Sequence, residues 1–84
     1  MAGTVVYTRK AARALARMPA DTEALIRAKL DQLARDPASL ANTIRPMKGI
    51  PGYRLRTGDR RALLTSEGAP IIVHDVGPRG SIYD

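Results

Sequence analysis

The sequence predicts an α+β domain: an N-terminal strand and an αα-hairpin packed on one face of a small, mainly antiparallel sheet, in the order β-α-α-β-β-β. Three observations carry this expectation. Thr4-Val5-Val6-Tyr7 is β-branched and aromatic, two apolar stripes with helical spacing follow it, and the second half holds short strand-like runs separated by turn residues. With 84 residues the chain is expected to be one domain, 1–84, burying about two thirds of its unfolded surface.

Each element has a local reason. After the first strand, Thr8 is placed to cap a helix in which Ala11, Ala14, Leu15 and Met18 recur at i, i+3, i+4 and i+7. Pro19 ends that helix and suits the start of the next. Asp21 and Glu23 then fall where the helix dipole favours negative charge. Ile26, Leu30 and Leu33 form the second stripe, with Leu25 broadening it, and Asp36-Pro37 closes the helix. From Ala38 to Gly52 the markers Pro46, Gly49 and Pro51-Gly52 predict a connection, with a short strand near Ile44. Tyr53 to Arg56, Arg60 to Thr65 and Ile71 to Val76 read as strands joined by Thr57-Gly58-Asp59 and Glu67-Gly68-Ala69-Pro70. That spacing is of antiparallel hairpins, not of parallel crossovers. A last short strand is expected around Ser81 to Tyr83.

Charge narrows the partners. Fourteen Lys and Arg against eight Asp and Glu give a net charge of +6, which suits nucleic acid, an anionic membrane or an acidic protein. Arginine outnumbers lysine, and its planar fork favours bidentate contact with phosphate. There is no cysteine and one histidine, so neither a disulfide framework nor a metal site is expected. No apolar run reaches membrane-spanning length and no signal core opens the chain. A soluble cytoplasmic protein without cofactor is the default expectation.

The arginines themselves are patterned. In Tyr53-Arg54-Leu55-Arg56, alternation turns Tyr53 and Leu55 to the core and puts Arg54 and Arg56 together on the other face, about 6.6 Å apart. The next strand brings Arg61 beside them, and Arg79 follows the last long strand. Two cations about 6 Å apart repel by about 1–3 kcal/mol, so a face that gathers several is suited to receive an anion such as phosphate. A solvated strand face is the plainer reading of Arg54 and Arg56. Asp75 has the strand parity to pair structurally with Arg61, and His74, with the parity of Ile72 and Val76, reads as a core or edge histidine. Tyr83 suits packing of the last strand. The helix arginines Arg9, Arg13, Arg17 and Arg27 read as surface charge or ribosome contacts.

Two segments carry a family resemblance. The run from Lys48 to Arg61, Lys-Gly-Ile-Pro-Gly-Tyr-Arg-Leu-Arg-Thr-Gly-Asp-Arg-Arg, and the run from Val76 to Tyr83, Val-Gly-Pro-Arg-Gly-Ser-Ile-Tyr, resemble the central and C-terminal signatures of the RelE/ParE toxin superfamily. The order of elements matches over essentially the whole chain. The resemblance implies a toxin of a type II toxin–antitoxin pair. Its RelE branch cleaves mRNA in the ribosomal A site, and its ParE branch acts on DNA gyrase. By position, the catalytic residues it implies are Arg54, Arg56, Arg61, Arg79 and Tyr83, with RNA contacts from Lys48, Arg54, Arg56, Arg60, Arg61 and Arg79. The implied chemistry is attack of a ribose 2′-hydroxyl on the adjacent phosphate. Arg54 and Arg61 then stabilise the phosphorane, Arg79 clamps the phosphate, and Tyr83 stacks on a base. The chain departs from the branch at Arg56, where lysine is common, and at Pro78, where a basic residue is common. Implied partners are a cognate antitoxin and the ribosome with mRNA in its A site. A ParE-like gyrase inhibitor and a non-enzymatic antitoxin-binding module are the alternatives.

Overall fold

The computed structural model describes residues 4–47, 49, 51–66 and 70–78. The elements run β1 (Val5–Tyr7), α1 (Arg9–Ala16), α2 (Ala20–Arg35), a 3₁₀ turn (Pro37–Leu40), β2 (Ile44–Pro46), β3 (Tyr53–Thr57), β4 (Arg60–Ser66) and β5 (Ile71–Pro78). The five strands form one sheet in the order β1-β5-β4-β3-β2. All neighbours are antiparallel except β1, which lies parallel to β5 in the register Val5 opposite Ile71. The α+β layout expected from the sequence is the one observed, with β2 as a fourth strand after the helices. The strand expected at Ser81–Tyr83 lies outside the described residues.

Local chemistry explains the helices. The Thr8 hydroxyl accepts from the Ala11 N–H at 3.2 Å and donates to the His74 carbonyl at 3.0 Å, so one side chain caps α1 and ties it to β5. Pro19 occupies the N-cap of α2, whose first turn holds Asp21 and Glu23. At the other end, the Asp36 N–H still bonds to the Gln32 carbonyl before Pro37 ends the helix.

Both helices lie on one face of the sheet. Ala11 and Leu15 of α1 and Ile26, Leu30 and Leu33 of α2 meet Leu55, Ala62, Leu64, Ile71, Val73 and Val76 in a single core. Each fully buried leucine there contributes about 1.5–3 kcal/mol of transfer free energy. Two expectations are corrected. Leu25 does not broaden the stripe but is 64% exposed, and Tyr53, on the core side by alternation with the buried Leu55, is still 41% exposed.

Two glycines shape the hairpin. Gly58, at φ +67°, opens the two-residue loop Gly58-Asp59 between β3 and β4, and Asp59 has no positive φ, which fits a type II′ turn. Gly52, at φ +135°, brings the chain so close to β4 that a Cβ there would stand 3.0 Å from the Leu64 carbonyl oxygen.

A bulge interrupts β4 and β5. Leu63 faces Asp75 while Leu64 faces Val73, which leaves His74 as the extra residue. The slip separates the parities of His74 and Val76, which the sequence pairs. Val76 is buried in the core, whereas the His74 Nε2 lies 2.7 Å from the Thr65 hydroxyl. Among the described residues no helix is long and apolar enough to cross a membrane.

Candidate nucleic-acid interface

The sheet face away from the helices carries the site. Because Leu55, Ala62 and Leu64 point into the core, Arg54 and Arg56 of β3 and Arg61 of β4 point the other way. Their register is direct: Arg56 is the cross-strand partner of Arg61, and Arg54 is the partner of Arg45 on β2. The Arg56 N–H donates to the Thr43 carbonyl at 2.9 Å, just before β2. Arg56 therefore turns its backbone away from β4, and Arg56 and Arg61 form a non-hydrogen-bonded pair. In that geometry the Cα atoms stand about 4.5 Å apart and the side chains lie close.

These residues enclose a cleft of about 160 Å³ lined by Asn42, Thr43, Arg45, Arg54, Arg56 and Arg61. Four guanidinium groups, one amide and one hydroxyl make up that lining, with no carboxylate among the described residues. Like charges directly opposed across a sheet are disfavoured, and an anion placed between them turns repulsion into attraction. Arg45 and Arg61 also reach local carbonyls, Arg45 Nη1 donating to Ile44 at 3.2 Å and Arg61 Nη1 to Arg60 at 3.5 Å. Such contacts with neighbouring carbonyls help to orient the two forks.

Three of the expected residues thus converge: Arg54, Arg56 and Arg61. Arg60 does not join them. It has the parity of Ala62 and Leu64, on the helix side, and its Nε is buried without a hydrogen-bond partner. Lys48, Arg79 and Tyr83 lie outside the described residues. Asp75 is not the partner of Arg61; it forms an ion pair with Lys10 of α1 at 3.3 Å and accepts from the Val76 N–H. His74 shares the open face but does not line the cleft.

Arg45, with Asn42 and Thr43, is what the sequence reading missed. A strand near Ile44 was legible, and a half-buried Ile44 implies that Arg45 points outward. The register against Arg54 was not legible, because three residues ending in proline set no pairing by themselves.

The protein is thus a small α+β sheet with helices on one face and a cleft lined by four arginines on the other. Comparison with solved structures narrows the fold to that of the RelE-type toxins. The toxin–antitoxin complex RelBE2 from Mycobacterium tuberculosis superposes with a TM-score of 0.77 at 21% identity, over 94% of this chain and 100% of that one. The archaeal RelE–RelB complex from Pyrococcus horikoshii gives a TM-score of 0.79 at 22% identity, over 95% and 98%. A YoeB/ParE toxin from Agrobacterium tumefaciens gives 0.72 at 18% identity, over 90% and 98%. No family model matches the sequence, and no curated protein matches it either.

Proposed function

We propose that the chain is the toxin of a type II toxin–antitoxin pair and acts as a ribosome-dependent endoribonuclease on mRNA. The observation that carries this reading is the convergence of Arg45, Arg54, Arg56 and Arg61 on one cleft. Its support is the fold shared with RelE-type toxins, two of them solved with RelB partners.

In the proposed reaction a ribose 2′-oxygen bonds to the adjacent phosphorus and the bond from phosphorus to the 5′-oxygen breaks. The 2′-hydroxyl proton leaves to a base, the departing 5′-oxygen takes up a proton, and a cyclic phosphate remains. Negative charge grows on the phosphorane, and fixed guanidinium donors stabilise it more than the ground state. Arg54 and Arg61 serve this role from adjacent strands. Arg79 clamps the same phosphate, and Tyr83 stacks on the neighbouring base. Arg56 contributes charge and not proton transfer, because arginine does not give up its proton. Arginine, asparagine and threonine line the cleft, so proton acceptance falls to Tyr83, to the RNA or to the ribosome. Lys48 adds an RNA contact from the loop before β3. The antitoxin is a segment that covers the basic cleft.

Induced expression with mapping of mRNA ends tests the proposal. New ends are expected in translated mRNA, absent when translation is blocked and absent in Arg61→Ala. Growth arrest with uncut mRNA and inhibited supercoiling would instead identify a gyrase inhibitor. Absence of arrest at every expression level would leave an antitoxin-binding module.

A further inference from the structure

The open face of the sheet continues past the cleft as a neutral patch. Leu63 is the cross-strand partner of Arg54 and shares its side of the sheet, and Thr65 follows two residues on. On β5, Ile72 and His74 alternate with the buried Ile71 and Val73, so they face the open side as well. Thr65 is paired with Ile72, and Ile72 with Val6 of β1, which is 47% exposed. Adjacent strands stand about 4.8 Å apart, so the patch begins one strand from Arg54. None of these residues belongs to the core under the helices. Their polar groups meet inside the patch, where the His74 ring touches the Thr65 hydroxyl through Nε2. As the extra residue of the bulge, His74 has no residue of β4 directly opposite it. The neighbouring carboxylate, Asp75, is held by Lys10 of α1.

We infer that Leu63, Thr65, Ile72 and His74 form a nucleoside subsite beside the phosphate cleft, with the His74 ring as the stacking surface for a base. The inference rests on the cleft taking an RNA phosphate, and not on cleavage. Covalent continuity is the first argument. A phosphate joins two nucleosides, so a strand held by Arg54 and Arg61 must set down a sugar and base within one nucleotide on either side. Tyr83 is proposed for one of these bases, and the patch is what the sheet offers the other on the β4–β5 side. Chemistry is the second argument. A base has apolar faces and a polar edge, and single-stranded RNA is read by stacking on side chains that include histidine while hydrogen bonds take the edge. Leu63 and Ile72 supply an apolar floor, and Thr65 and His74 supply hydroxyl and imidazole groups beside it. A protein segment is the poorer match, because protein interfaces keep their most apolar contacts at the centre, and here the hydroxyl and the imidazole lie among the apolar residues.

Fluorescence anisotropy tests it with two labelled probes, an oligouridylate of about eight nucleotides and an abasic ribose-phosphate strand of the same length and charge, each across a range of salt. The wild type should bind the base-bearing strand at least about fivefold more tightly than the abasic one. His74→Ala should lose most of that preference while keeping the wild-type slope of log K against log salt, because its phosphate contacts remain. His74→Phe restores a ring without the imidazole nitrogens and should regain the preference. Arg61→Gln should do the reverse, lowering the slope and keeping the ratio between the two probes. Equal binding of both probes by the wild type overturns the inference, as does a preference that survives in His74→Ala. An equal loss on both probes in His74→Ala also overturns it, since the ring then serves only the fold. A finite salt slope with equal binding sinks the subsite and spares the cleft, whereas a slope near zero in the wild type sinks both.

Discussion

Arg45→Gln probes the cleft at the residue that only the register reveals. The substitution puts a shorter, uncharged amide in place of the guanidinium at an exposed position, so the fold should tolerate it. A single strand contacting all four arginines releases counterions with a slope of about 0.7 per phosphate, near 2.8 in all. Raising salt fourfold, from 50 to 200 mM, then weakens binding by about 50-fold. With Arg45 removed the slope falls to about 2.1 and the same change of salt weakens binding by about 18-fold. Anisotropy of a labelled single-stranded RNA across that range measures both slopes. Identical slopes in the two proteins would refute the placement of Arg45 beside Arg54. A slope near zero in the wild type would refute the phosphate cleft altogether.

Other consequences follow from the same geometry. Gly52→Ala meets both a positive φ and the Leu64 carbonyl at 3.0 Å, whereas Gly58→Ala meets a positive φ in open space. The first should cost about 1–3 kcal/mol and the second about 1–2 kcal/mol, with Gly52→Ala giving the larger fall in urea midpoint. Thr8→Ala removes the cap of α1 and leaves the His74 carbonyl without its donor; a loss of about 1–2 kcal/mol should appear in thermal unfolding. Burial raises the Tyr7 hydroxyl above its ordinary value, with the Arg27 charge opposing the shift. Below about pH 10 this group leaves stability unchanged. As pH climbs above that and through the raised native value, the unfolded chain loses the proton first and stability falls. Tyr7→Phe should flatten that alkaline loss in urea titrations, and an equal alkaline loss in the variant would remove Tyr7 as its source.

Much of the fold was legible because local signals agreed with one another. Thr8, Pro19 and Asp36-Pro37 bracket the helices, and Gly58-Asp59 fixes the β3–β4 hairpin, so alternation alone put Arg54, Arg56 and Arg61 on one face. What alternation could not supply was pairing between distant segments. The parallel pairing of β1 with β5 and the register of β2 against β3 depend on contacts far apart in sequence, and Arg45 was lost with the second of these. Strict parity also fails where a strand is irregular. The bulge at His74 put Val76 in the core and left the histidine on the open face. Arg60, which the resemblance implies as an RNA contact, lies on the helix side because its neighbour Arg61 takes the open face. Leu25 shows the converse: an apolar residue adjoining a stripe is not necessarily part of it.

Arg56 is where the reaction scheme meets its hardest chemical demand. A cationic cleft can bind, orient and stabilise charge, and positioning alone can supply a large part of a phosphate cleavage barrier. If the substrate's own sugar is the nucleophile, the attacking oxygen must be present in the RNA and in no other place. The direct measurement uses ribosomes programmed with an mRNA whose A-site nucleotides are either ribo or 2′-deoxy, incubated with purified protein and resolved by primer extension. The account predicts cleavage of the ribo message, with a cyclic phosphate at the new end, and an uncut deoxy message. Equal cutting of both messages would contradict it, as would an intact ribo message at saturating protein.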